Sequence, residues 1–130
     1  MNKTVIQSVI FKGISPKKLY ETYLDSRKHA AAIGTKALIE PKVGGSFTAF
    51  GMLKGKFLVL IKDEMIVQTW RSIKFKKTDE DSILVLRFEK TKEGSRVDLV
   101  HTSIPDYDYA DIKKGWPKYY WKPWRKYFKK

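Results

Sequence analysis

Hydrophobic positions along this chain change their period twice, and each change marks a change of element. Thr4–Phe11 (TVIQSVIF) sets Val5, Gln7, Val9 and Phe11 on one side against Ile6, Ser8 and Ile10 on the other. Both sets are largely apolar and rich in β-branched residues, which predicts a strand covered on both faces. Ser15-Pro16 then supplies a helix cap followed by proline at the first helical position. Leu19, Tyr20, Tyr23 and Leu24 form the buried stripe of that short helix. Asp25-Ser26 interrupts it and caps a second helix, Arg27–Ile33, which Gly34 ends. The alanines at 30 to 32 give it a narrow surface suited to close packing.

From Lys36 onward the period is two. Lys36–Glu40 reads as a strand, Pro41–Gly44 as a turn, and Gly45–Gly51 as a strand carrying Phe47 and Phe50. Leu53–Ile61, Met65–Phe75, Ser82–Glu89 and Arg96–Ser103 follow, separated by the polar segments Lys62–Glu64, Lys76–Asp81 and Lys92–Gly94. Successive strands joined by short turns predict an antiparallel meander. Pro105 ends the last strand.

The helical period returns in Tyr109–Lys130 (YADIKKGWPKYYWKPWRKYFKK), with Ile112, Trp116, Tyr119/Tyr120, Pro123/Trp124 and Tyr127/Phe128 on one broad face. Asp106, Asp108 and Asp111 precede the lysines, the charge order a helix dipole favours. Pro117 and Pro123 predict a kink or a late start. The whole is one α+β domain, residues 1–130: two short helices after the first strand, and a curved antiparallel sheet of about seven strands wrapped around the C-terminal helix. A twisted meander curls, and only that helix is long and apolar enough to cover its concave side.

Composition narrows the function classes. The chain has 130 residues, 42% hydrophobic and 14% aromatic, enough to bury a core and contrary to disorder. It has no cysteine, so neither a disulfide frame nor a thiolate metal site is available. The N-terminus lacks a signal-peptide pattern and no apolar run reaches the roughly 18 residues of a membrane span, so a cytoplasmic location is expected. The net charge of +13 invites a nucleic-acid reading. Only five of the 27 basic residues are arginine, however, and they are interleaved with apolar positions throughout. That is the pattern of solvated faces, not of specific nucleic-acid recognition.

His101 is the titratable side chain of most interest. Alternation places it with Val97, Leu99 and Ser103 on the inner face, which leaves two readings: a hydrogen-bonding group for a ligand, or a histidine satisfied by its neighbours. His29 is expected to be exposed beside Lys28. The two histidines lack metal-site spacing, and neither a metal nor a cofactor is implied. Arg71 and Arg87 are out of phase with the inward residues and point outward. Gly44-Gly45 lacks the following lysine-serine of a phosphate loop and reads as a turn. The acids mostly occupy turns, so no catalytic carboxylate pair is visible and an enzyme is not expected. The cavity residues expected are Phe47, Trp70, Leu86, His101 and Trp116 as walls, with Tyr120 and Trp124 facing inward from the helix.

Several motifs in this order resemble a known superfamily: Gly44-Gly45-Ser46-Phe47 after a proline turn, Gly55 before an apolar strand, Ile66–Arg71 (IVQTWR), Val97–His101 (VDLVH), and Gly115-Trp116 with Tyr119-Tyr120 and Pro123. Together they are similar to the SRPBCC (START-like, Bet v 1-like) proteins, nearest the branch named for activators of the 90-kDa heat-shock chaperone's ATPase. The resemblance covers essentially the whole chain and implies a helix-grip fold. It implies several functions, because relatives include ligand carriers, polyketide cyclases, stress proteins and chaperone activators. The first expectation is a small hydrophobic or aromatic ligand held between sheet and helix. The alternatives are a chaperone-associated module that meets an acidic protein partner with its basic helix face, and a cyclase- or hydrolase-like enzyme using His101 beside Tyr120.

Overall fold

The computed structural model describes residues 2–129; the two ends of the expected domain, Met1 and Lys130, lie outside the described residues. A strand β1 (Asn2–Lys12) leads to helices α1 (Pro16–Leu24) and α2 (Ser26–Ile33). Strands β2 (Ala37–Ile39), β3 (Ser46–Ala49), β4 (Leu53–Ile61), β5 (Met65–Ser72), β6 (Ser82–Lys90) and β7 (Gly94–Pro105) follow. They pair antiparallel in the order β1-β7-β6-β5-β4-β3-β2, so β1 closes onto the last strand of the meander. Ser15 Oγ accepts from the Lys18 amide at the start of α1, and Asp25 caps α2 through the Lys28 amide. Gly34 ends α2 with φ 76°, a left-handed conformation that costs glycine nothing.

Curvature has local causes. Pairing between β4 and β5 shifts register between Phe57 and Val59, a bulge that bends the strand. At Gly55 the two strands approach so closely that a Cβ would lie 1.9 Å from the Thr69 carbonyl oxygen. The concave side is filled by helix and core, while the convex side is open. Ile6 is 74% exposed, so β1 is covered on one face only, contrary to the expectation from its two apolar faces. Its partners explain the pattern. Ile6, Val100, Val85, Val67 and Val59 stand opposite one another across five strands, and a row of β-branched residues shields itself laterally.

The C-terminal segment begins with a 3₁₀ turn (Asp106–Asp108) and continues as α3 (Tyr109–Trp116), a π turn (Pro117–Trp121) and α4 (Lys122–Phe128). The prolines are thus accommodated inside a helix that widens. Pro117 cannot donate to the Lys113 carbonyl. Gln7 from β1 does so instead, through Nε2 at 3.0 Å, and its Oε1 accepts from Trp121 Nε1 at 3.0 Å. The extra residue in the turn brings Trp121 inward and stacks it on Trp116, ring centroids 5.6 Å apart. Replacing Gln7 with leucine leaves both helix groups without their partner. The expected loss is about 2 kcal/mol, read as a lower urea midpoint at unchanged slope.

Candidate functional site

A cavity of about 650 Å³ opens between the helix and the strand ends β3–β5, within the roughly 300–1,000 Å³ typical of small-molecule sites. Trp70 forms its sheet-side wall, and Trp116 and Tyr120 its helix-side wall. Phe50 reaches in from the β3–β4 turn with φ 58°, a left-handed backbone that costs a bulky residue about 1–2 kcal/mol. Its ring meets Tyr119 and Tyr120 edge-on at 5.6 and 6.0 Å, contacts that offset this strain. Ser72 is the polar group of the sheet side. Lys74, Lys114 and Lys118 stand among the lining residues, together with Asp108 and Asp111.

Of the seven expected cavity residues, Trp70, Trp116 and Tyr120 line this opening. Phe47, Leu86 and Trp124 do not: they are 0%, 1% and 0% exposed and belong to the packed core. Trp124 is enclosed by the rings of Phe11, Tyr120, Trp121 and Phe128, so the helix end is closed by aromatic packing. His101 also lies behind the wall, fully buried between Trp70 and Trp116.

The geometry assigns the His101 tautomer. Trp116 Nε1 can only donate, and it does so to Nδ1 at 3.1 Å. The proton therefore sits on Nε2, which donates to Ser82 Oγ at 2.8 Å, and that hydroxyl donates onward to the Trp70 carbonyl at 2.6 Å. Both ring nitrogens are used. Burial lowers the His101 pKa to about 3, and no charged group among the described residues opposes it.

His29 is not exposed, contrary to the expectation from its basic neighbours; it is 0% exposed. Its Nδ1–H donates to the Tyr23 carbonyl at 2.7 Å, and its Nε2 accepts from the Tyr120 hydroxyl at 2.9 Å. Burial lowers its pKa to about 4, against the opposing pull of the carbonyl. The same burial raises the Tyr120 and Tyr23 hydroxyl pKa values above the usual tyrosine range. Two successive inward residues of the helix, Trp116 and Tyr120, are therefore each held by one neutral histidine. The helix spacing that brings His29 inside is visible in the sequence: residues 29, 32 and 33 share a face, and Ala32 and Ile33 are buried with it.

Asp108 reads in the sequence only as a favourable charge before a helix, and the structure gives it another setting. It is 3% exposed, lines the cavity, and makes no capping hydrogen bond to α3. Its one ion-pair partner among the described residues is Lys74, at 4.0 Å, beyond hydrogen-bond range. Lys74 lies nearer to Asp111, at 3.4 Å. Burial raises the Asp108 pKa, Lys74 works against this and Asp111 adds to it. Arg71, expected to point outward, is half-buried on the outer face, tied by its guanidinium to Asp81 and to the Asp79 and Lys76 carbonyls. Arg87 is exposed. No group of three or more potential metal ligands occurs among the described residues, and no helix there is long and apolar enough to cross a membrane.

A second groove of about 630 Å³ adjoins the cavity and shares Met52, Leu53 and Ser72 with it. Lys36, Lys54, Arg71 and Lys77 line it without any acid, beside the exposed Leu38 and Ile73.

Comparison with known proteins agrees with this architecture. The family model for "Activator of Hsp90 ATPase homolog 1-like protein" matches residues 14–129. A Dictyostelium discoideum protein described as an activator of 90 kDa heat shock protein ATPase homolog is 27% identical over 105 residues, 80% of this chain and 27% of the relative. An uncharacterized Schizosaccharomyces pombe protein is 27% identical over 107 residues, 82% of this chain and 32% of that protein. The chain thus spans about a third or less of the length of these curated relatives. Among solved structures, an HSP90 activator from Plasmodium falciparum superposes with a TM-score of 0.77 at 25% identity, covering 92% of this chain and 90% of that one. A Mesorhizobium loti protein reaches 0.81 at 18% identity, covering 95% of each, and shares the fold. The chain belongs to the Activator of Hsp90 ATPase homolog 1-like family, within the SRPBCC, Bet v 1-like superfamily.

Proposed function

We propose that this protein binds a small hydrophobic or aromatic molecule in the cavity between the sheet and the C-terminal helix. The observation that carries this reading is the wall itself. Trp70, Trp116 and Tyr120 turn aromatic surface toward an opening of about 650 Å³, and large apolar walls with a few polar groups are what such ligands select. The protein acts as a binding module and not as an enzyme. His101 and His29 have both ring nitrogens engaged by the protein, and burial makes each a weak base, so neither serves as a general base at pH 7. Native mass spectrometry of protein purified from its own host tests the reading. A stoichiometric apolar adduct, released and identified after denaturation, supports it. A clean apo mass that persists after soaking with fatty acids, sterols and flavonoids overturns it.

The basic groove favours a second reading, in which the chain docks on an acidic surface of a 90-kDa heat-shock chaperone. Lys36, Lys54 and Lys77 make no ion pair among the described residues, and exposed apolar side chains flank them, so charge and desolvation both suit an acidic, partly apolar partner. Stimulation of the purified chaperone's ATPase, or its capture by this chain, is the test. Reversing Lys54 and Lys77 to glutamate is expected to weaken that association about tenfold or more at low salt and much less at high salt. Equal binding by both proteins at all salt concentrations removes the groove from the interface.

A further inference from the structure

The cavity contains one acceptor whose chemistry is unspent. Trp116 Nε1 is taken by His101, the Tyr120 hydroxyl by His29, and Ser72 Oγ accepts from the Lys74 amide at 3.1 Å. The Trp70 indole N–H is buried without a partner among the described residues, but it is a donor and asks for an acceptor. The Asp108 side chain is nine-tenths buried, yet it makes no capping hydrogen bond to α3 and meets the Lys74 ammonium only at 4.0 Å. Buried carboxylates are ordinarily satisfied by several donors, and an unpaired one is costly. Its neighbour Lys74 does not compensate, since it is held nearer Asp111 and its side chain is 55% exposed.

We propose that the cavity selects a flat aromatic or polycyclic molecule bearing a hydroxyl or amine, and that Asp108 accepts that donor. This rests on the cavity reading above and adds the ligand's chemical class to it. The aromatic walls supply the fit for the ring system. The carboxylate supplies the preference for a donor, because an analogue lacking the O–H or N–H leaves Asp108 buried and unpaired. The same carboxylate opposes an anionic ligand seated at this depth, even with Lys114 and Lys118 among the lining residues.

Titration calorimetry with 2-naphthol, 2-methoxynaphthalene and 2-naphthoate separates the outcomes. The naphthol is expected to bind about tenfold to a hundredfold more tightly than its methyl ether, and more tightly than the naphthoate. In Asp108→Ala the preference for naphthol over the ether should fall to near unity. In Asp108→Asn, which can donate as well as accept, the ether should gain relative to the alcohol. Near-UV circular dichroism checks that each variant keeps its aromatic packing. Equal affinity for naphthol and ether in the wild type overturns the role of Asp108 and leaves the cavity reading standing. So does a preference that survives Asp108→Ala, or tighter binding of the naphthoate. If none of the three binds while a fatty acid does, the inference falls and the cavity reading stands. If nothing binds, both fall.

Discussion

Acidification is expected to destabilise this domain steeply between pH 6.5 and pH 4.5, by about 5 kcal/mol in total, through two histidines alone. In the unfolded chain each histidine takes up a proton near pH 6.5. In the folded chain burial holds His29 neutral down to about pH 4 and His101 down to about pH 3. The unfolded state therefore binds up to two more protons in this window. Stability is fully present above pH 6.5 and falls as pH drops, approaching about 3 kcal/mol per pH unit near pH 5. The hydrogen bonds enforce the same direction. A protonated His101 would turn a second N–H against Trp116 Nε1, and a protonated His29 would lose its acceptor for the Tyr120 hydroxyl. The remaining ring contacts are Trp70 and Trp116 for His101, and Tyr23, Phe47 and Tyr120 for His29; none is charged in this range. Glu21, Glu40 and Asp79 have lowered carboxyl pKa values, so their contribution is lost as pH falls through the ordinary carboxylate range, at and below the acid end of this window. Asp108, whose pKa burial raises, takes up its proton first in the folded chain and opposes the histidine step.

Urea unfolding at constant ionic strength from pH 7.5 to pH 4.5 measures this slope. His101→Gln and His29→Gln should each be less stable at pH 7.5 and should each show about half the pH dependence. A stability that stays flat between pH 6.5 and pH 5 would mean that the imidazoles accept protons in the folded state, and the neutral clasp on the helix would be refuted.

Elements set by local signals were legible in the sequence, and those set by tertiary partners were not. Ser15-Pro16, Asp25 and Gly34 act within one turn of chain, so both short helices end where their caps stand. The two-residue period of residues 36–103 likewise yields the six strands β2–β7, although β2 and β3 are shorter than expected. Their ends are governed by the turn at Phe50 and Gly51, with φ values of 58° and 69°, which no alternation reveals. The π turn depends on Gln7 satisfying the carbonyl that Pro117 leaves open, a partner 106 residues away. Without that contact the pair of prolines predicts only a kink, and the inward face is read as Trp116, Tyr120 and Trp124 without Trp121. Asp108 illustrates the same boundary at the site. Its position suggests a solvated acid at a helix start, and only the fold places it under Lys74 in the wall of the cavity.

Trp116 is where the wall, the core and the histidine clasp meet, so Trp116→Ala should produce a compound effect. The residue is 4% exposed and stacks on Trp121 while touching Tyr120 at 4.8 Å. Truncation removes that packing, and the expected loss is about 3–5 kcal/mol. The value should fall toward the low end, because the vacated space joins an existing opening and needs no new closed void. The substitution also removes the donor to His101 Nδ1 and lets the cavity reach the ring. Water entering there weakens the desolvation that keeps the imidazole neutral. His101 should then titrate closer to the ordinary histidine range, and the acid slope should lose about half its size even though His101 is unchanged. Phenylalanine at the same position separates the two effects: it keeps most of the apolar wall but supplies no N–H. If Trp116→Phe flattens the pH dependence while retaining most of the stability, the indole donor governs the titration of His101. If it leaves the slope intact, burial alone holds the histidine neutral, and the hydrogen bond only orients it.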